Sequence, residues 1–203
     1  MAATISTQAA ATRHLDLGCG ARPRNPYNCD EVYGIDLNQP AGMADTFFRS
    51  ANLSLQPIPF DDGMFDSVSA YDFLEHVPRI LATADGSSTR FPFVELMSEI
   101  HRVLKPGGRL YAATPGFPRN ESMVDPTHVN FITDRTHRYF TEPELGARVY
   151  GFKGRFETVR VMWMRTKLAY EPTHPDLRHR LRRLSDWLKR RQAHLLWELK
   201  ALE

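Results

Sequence analysis

No stretch of this 203-residue chain approaches the ~18 consecutive apolar residues that a membrane-crossing helix needs. No integral membrane segment is therefore expected. Cysteine is scarce. Cys19 and Cys29 are too few for a disulfide framework or a four-ligand zinc site, which points to a reducing cytoplasm. No metal is expected. Net charge is also small, at +2, and gives little ground for a nucleic-acid partner. Met1 to Thr12 lacks the basic-then-apolar layout of a signal peptide and reads as a flexible arm. Repeats and low-complexity tracts are missing as well. What remains is ordinary for a globular chain: 42% apolar and 25% charged residues, long enough for one α/β domain.

Along residues 13–115, short apolar runs alternate with turns, as βα units do. His14–Leu17, Val32–Asp36, Phe65–Tyr71 and Arg109–Ala113 read as strands, with Thr46–Arg49 a weaker one. Phe93, Leu96, Met97, Ile100, Val103 and Leu104 fall at helical spacing, and Lys105-Pro106-Gly107-Gly108 supplies a stop signal. Residues 116–140 are polar and rich in turn formers, so they read as a substrate loop or lid. Thr141-Glu142-Pro143-Glu144 looks like a capped helix start. Phe156–Met164 reads as a late strand. From His174 to Leu202 the pattern predicts one basic amphipathic helix, with Leu177, Leu181, Leu184, Leu188, Leu195, Leu199 and Leu202 along one side. From Glu171 onward there are eight Lys/Arg against five Asp/Glu. The expected division is one domain over residues 1–170 and a helical tail over 171–203.

Chemistry concentrates around Leu15-Asp16-Leu17-Gly18-Cys19-Gly20, a strand running into a glycine turn. Glycine permits positive φ and close approach of a ligand to the backbone. Twenty residues after Asp16 comes Asp36, in Tyr33-Gly34-Ile35-Asp36-Leu37, where an acid at a strand end can accept both ribose hydroxyls of a nucleoside. A dinucleotide site would need a third glycine, and the chain offers Gly18-x-Gly20-x-x-Pro23, which tilts away from NAD.

Five blocks follow one another in order: LDLGCG, YGIDLN, IPFDDGMFDSV, FLEHV and EIHRVLKPGG. In this order they resemble the class I S-adenosylmethionine (SAM)-dependent methyltransferases, over about His14 to Pro115. The resemblance implies a Rossmann-like doubly wound α/β sheet of about seven strands, mostly parallel, with one antiparallel strand near its edge. It implies SAM as cofactor, with S-adenosylhomocysteine as product. Gly18, Cys19 and Gly20 would then flank the amino-acid part of SAM, with Asp16 supporting their turn. Asp36 and Leu37 would hold the ribose, Asn52 and Leu53 the adenine, and Tyr71 would lie near the methyl group. One departure concerns the first helix: Pro23 and Pro26 follow the turn and shorten it. Arg22 or Arg24 would then supply charge to the SAM carboxylate. The Asp-Pro-Pro-Tyr motif used by resembling enzymes on nucleobase amines is absent.

The acceptor is expected to be a small molecule, such as a glycan or lipid precursor, methylated at oxygen. His128 is the candidate base and Asp125 its orienter. His76, His137 and Arg138 are candidate acceptor contacts, and His101 reads as structural. The tail would pack on the domain or pair two subunits into a homodimer, with a basic face left for a membrane or polyanion. Two other readings fit the same motifs: a SAM-binding scaffold or regulatory subunit without activity, and a nucleic-acid methyltransferase using the basic tail.

Overall fold

Strand formation begins at Arg13–Leu17 (β1), where Leu15 and Leu17 face one side and His14 and Asp16 the other. The computed structural model describes residues 10–39, 41–166 and 170–203. Most of the expected arm, residues 1–9, lies outside them, as does the stretch just before the expected boundary at 170. Thr12 is already tied down, bonded through its amide and hydroxyl to Asp30.

The elements continue with Glu31–Asp36 (β2), Phe48–Ser50 (β3), Phe65–Tyr71 (β4), a small hairpin of Leu81–Ala82 (β5) and Thr89–Arg90 (β6), and the helix Pro92–Val103 (α1). Then come Leu104–Pro115 (β7), a single turn at Glu121–Val124 (α2), Phe156–Met164 (β8), the helix Leu177–Leu188 (α3) and His194–Ala201 (β9). Seven strands form one sheet in the order β3-β2-β1-β4-β7-β9-β8. All neighbours pair in parallel except β9, which runs antiparallel to both β7 and β8. The strand order reverses at β1 and β4, so a crevice opens at their carboxyl ends, where open α/β sheets bind ligands.

Period-2 alternation sets the two faces. Leu15, Leu17, Val68, Ala70, Leu110, Ala112, Leu195, Trp197 and Leu199 face the larger core, together with the apolar side of α1. Tyr71, Tyr111, Ala113, Met164 and Leu196 face a smaller one, joined by Tyr27 and Tyr170.

The expected helix over 174–202 stops at Leu188, and residues 194–201 are a strand inside the sheet. The sequence HLLWELKA carries two periods at once. Leu195, Leu199 and Leu202 fit a helix, while Leu195, Trp197, Leu199 and Ala201 fit a strand. The strand wins because it fills the gap between β7 and β8 and buries Leu195, Trp197 and Leu199 completely. The tail is therefore not separate from the domain. Residues 141–144 start no α-helix. Leu145 takes left-handed backbone, and a 3-10 turn at Gly146–Tyr150 follows. The third strand is also shorter than expected, because Asp45–Phe47 forms a 3-10 turn ahead of β3.

No helix follows β1. Residues 18–30 cross the sheet as irregular chain, and irregular backbone brings N–H groups that need acceptors. The strand residues beneath are polar to match. His14, Asp16, Ser67 and Ser69 are all buried. Ser69 Oγ donates to Asp16 Oδ1, and the Arg24 amide donates to Asp16 Oδ2 at 2.8 Å. With the Ser69 hydroxyl so committed, its oxygen accepts from His14 Nε2 at 2.8 Å, and Ser67 Oγ then donates to His14 Nδ1 at 2.7 Å.

Burial drives both ionisable members of this row toward neutrality: His14 falls to about 4 from 6.5, and Asp16 rises to about 6 from 3.8. The two act oppositely on stability. Asp16 stabilises the fold below about pH 4 and loses that contribution as pH rises through 6. His14 contributes above pH 6.5 and loses its contribution as pH falls through 4. Between about pH 4 and 6 the slopes cancel. His14→Gln removes one of them, so its stability relative to the parent should improve by about 2–3 kcal/mol as pH falls from 6 to 4. Urea titrations at several pH values measure this. Parallel pH curves for parent and variant would refute the paired titration.

Candidate functional site: a nucleoside cradle and a histidine–carboxylate cluster

The turn after β1 is built from glycines with positive φ, +63° at Gly18 and +55° at Gly20. Gly18 has a second constraint: a Cβ there would stand 2.6 Å from the Phe73 ring. The Gly20 amide donates to Asp36 Oδ2 at 2.9 Å, and the Leu37 amide donates to Asp36 Oδ1 at 2.6 Å. One carboxylate thus joins the glycine turn to the end of β2, half-buried at the mouth of the crevice. The Cys19 amide bonds Ile35 O, locking the turn to β2. The Cys19 side chain packs under Gly34, and burial raises its thiol pKa to about 12, so it is a packing group.

The remaining cofactor candidates divide. Asn52 is exposed beside the Asp36 end, tied there by the Ala51 amide on Asp36 O, and its Oδ1 accepts from the Ser54 amide. Leu53 packs into the main core and also lines a small cavity with Gln56, Pro57 and Leu96. Leu37 is exposed. Tyr71 ends β4, packed on Tyr111 with ring centroids 5.6 Å apart. The Arg24 guanidinium lies over the Tyr71 ring at 4.4 Å. Arg22 and Arg24 are both exposed, and the stacking on Tyr71 places Arg24 at the carboxyl end of β4.

The acceptor-side candidates gather after β4. A 3-10 turn at Leu74–His76 buries Glu75. The Glu75 carbonyl accepts the amides of Val129 and Asn130, which pins the loop that carries His128. Glu75 Oε2 accepts from Thr114 Oγ1 at 2.8 Å, while Oε1 is buried with no hydrogen-bond partner among the described residues. Burial, the dominant influence, raises the Glu75 pKa. His128 Nδ1 donates to Ser122 O at 3.1 Å, which fixes the tautomer and leaves Nε2 as the basic nitrogen. Nε2 lies 4.0 Å from Glu75 Oε1 and 3.9 Å from Asp125 Oδ2. Ser122 O, not Asp125, therefore orients the ring, and Asp125 stands as a charge beside Nε2. Asp125 Oδ1 accepts from the amide and hydroxyl of Thr127, whose Oγ1 accepts from His76 Nδ1 at 3.0 Å. The His76 and His128 rings meet edge to face at 4.8 Å.

His137 is not part of this group. It is buried against Trp197, and burial lowers its pKa, which does not suit the anion contact expected of it. Arg138 is exposed and paired with Glu144. His101 bonds Leu202 O, as a structural residue does. Glu75 and Phe73 were missed in sequence as site residues. A faint signal existed for Glu75, an acid at a position where its apolar neighbours Leu74 and Val77 are both buried.

Glu75, His76 and His128 present ligand atoms within 4.8 Å of one another. Two ligands on one tetrahedral first-row ion are ~3.4 Å apart. The 4.0 Å separation between His128 Nε2 and Glu75 Oε1 would have to contract to hold one. As it stands, the group suits a proton shared between an acceptor hydroxyl, an imidazole and carboxylates.

The strand order, the antiparallel β9 and the glycine turn tied to an acid on β2 define a class I SAM-dependent methyltransferase fold. A family model described as a methyltransferase domain matches residues 15–112. A SAM-dependent methyltransferase from Archaeoglobus fulgidus superposes with a TM-score of 0.53 at 17% identity, covering 94% of this chain and 86% of that one. One from Mesorhizobium loti gives 0.52 at 18%, covering 94% and 91%. A putative methyltransferase of Haloferax volcanii, in complex with the Trm112 methyltransferase activator, gives 0.57 at 14%, covering 95% and 84%. No curated protein sequence matches the chain. The chain thus has the class I SAM-dependent methyltransferase fold, with a methyltransferase-domain match over residues 15–112.

Proposed function

We propose that this protein transfers the methyl group of SAM to a hydroxyl of a small acceptor, a glycan or lipid precursor, inside the cytoplasm. Gly18 and Gly20 approach the amino-acid part of SAM, with Asp16 behind them and Arg24 replacing Arg22 as the partner of its carboxylate. Asp36, beside Leu37, holds the ribose and Asn52 the adenine. Tyr71 borders the methyl group. The acceptor lies against His76 and His128. An apolar cavity of about 320 Å³ lined by Ile80, Phe91, Phe93, Tyr139 and Tyr150 opens nearby and suits an apolar portion of the acceptor. Two free thiols and no helix long and apolar enough to cross a membrane, among the described residues, are compatible with the compartment.

The observation that carries this reading is the Nε2 of His128, with its tautomer set and two carboxylates within 4.0 Å. As the acceptor oxygen attacks the methyl carbon, the carbon–sulfur bond breaks toward S-adenosylhomocysteine and the hydroxyl proton passes to Nε2. Glu75 and Asp125 then stabilise the imidazolium. Holding the two reactants in line is worth up to ~7–11 kcal/mol, and the base adds ~10²–10⁴-fold.

The test supplies SAM labelled on its methyl group with a panel of hydroxylated sugars and lipid precursors. One acceptor should become labelled, and His128→Gln should lower kcat by ~10²–10³-fold with SAM affinity unchanged. Equal rates for parent and variant would remove His128 as the base. Tight SAM binding with no acceptor labelled would favour the regulatory-subunit reading, for which the activator-bound Haloferax neighbour is the supporting observation.

A further inference from the structure

Helix α3 is turned the wrong way round for a core helix. At ~100° per residue, Leu177, Leu181, Leu184 and Leu188 share an arc roughly 60° wide. All four are more than half exposed, as is Trp187. The buried residue of the helix is Asp186, on the opposite side. The helix rests on the domain through charge: Arg182 bonds Glu171 at 3.0 Å, and Arg165 bonds Asp186 at 3.4 Å. An apolar stripe is thus held outward by polar contacts beneath it.

Charge names the occupant. From Arg178 to Arg191 the chain carries seven Lys/Arg and one acid. Arg178, Arg180, Lys189, Arg190 and Arg191 are exposed around the stripe or just past its end. Leucines and a tryptophan flanked by exposed arginines are the composition of a helix lying in the interfacial plane of an anionic bilayer. A second copy fits less well. Two such helices face to face would bring like charges together, and one side of a helix ~18 Å long offers a few hundred Å² at most, against ~800 Å² per partner for a stable interface. The helix is also near the site. Five residues separate it from β9, whose first residue, His194, bonds Asp72 at 2.9 Å just past the end of β4.

We infer that α3 seats the protein on an anionic membrane surface, with Leu177, Leu181, Leu184, Trp187 and Leu188 entering the headgroup boundary and the surrounding arginines contacting lipid phosphates. This docking does not depend on the acceptor proposed above.

The test is sedimentation of the full chain with vesicles of phosphatidylcholine alone and of phosphatidylcholine mixed with phosphatidylglycerol. The anionic vesicles should retain at least ten times more protein, and added salt should release it. Leu181→Ser with Leu184→Ser should reduce retention at least tenfold. Both side chains are exposed, so the melting temperature and SAM binding should stay as in the parent. Equal retention by the two vesicle types, or retention unaffected by the double variant, would overturn the inference. So would a dimer in equilibrium sedimentation that the double variant dissolves, or binding to homopolymeric RNA without binding to vesicles. SAM calorimetry on the same samples reports separately on the cofactor site.

Discussion

Asp36→Ala should weaken SAM binding by ~10²–10³-fold. The carboxylate offers two oxygens at the mouth of the crevice, both occupied by backbone amides, of Gly20 and Leu37. A ribose diol would share those oxygens. Hydrogen bonds to a charged acceptor are worth about 1.5–3 kcal/mol each, and two near the low end, because the oxygens are shared with backbone amides, amount to roughly 3–4 kcal/mol. The variant also frees the Gly20 amide, so the turn loses its tie to β2. Isothermal titration with SAM and with S-adenosylhomocysteine measures the change, and both ligands should weaken alike because both carry the ribose. Unchanged affinity in a folded Asp36→Ala protein would remove the cradle from the cofactor site, and with it the functional reading.

The second large effect concerns the tail. Trp197→Ala should cost about 3–5 kcal/mol, much of the stability of a single domain, because Trp197 is fully buried at the centre of β9. Trp187→Ala, ten residues earlier on the exposed side of α3, should change stability by less than about 0.5 kcal/mol. Chemical denaturation of the two variants side by side separates a strand ending from a helical one. Equal effects from both would support the single helix that the leucine spacing suggested.

That contrast shows where the sequence was readable. β1, β2, β4, α1 and β8 were legible because each carries one unambiguous period and a clear stop, as with Gly18 after β1 or Lys105-Pro106-Gly107-Gly108 beyond α1. β9 was not, since its leucines satisfy two periods and only the unfilled place between β7 and β8 decides. The cofactor candidates stood out because glycines with positive φ and an acid at a strand end are local requirements. Asn52 and Leu53 rested on the resemblance alone: Asn52 faces solvent, while the Leu53 side chain turns into the core. The acceptor side depends on contacts across the chain. His128 meets Glu75 only because the Glu75 carbonyl captures the Val129 and Asn130 amides. The polar row of His14, Asp16, Ser67 and Ser69 makes sense only once irregular chain, and no helix, is seen to cover it.

The position of β9 also constrains the order of assembly. It is inserted between two strands made earlier, and among the described residues β8 has no other neighbour in the sheet. While residues 194–201 are still being synthesised, β7 keeps one open edge and β8 keeps two. Unpaired edges recruit other chains, so a nascent molecule is most exposed to aggregation in that interval. Slower translation of this stretch would lengthen the hazard, and a chaperone that shields β8 would shorten it.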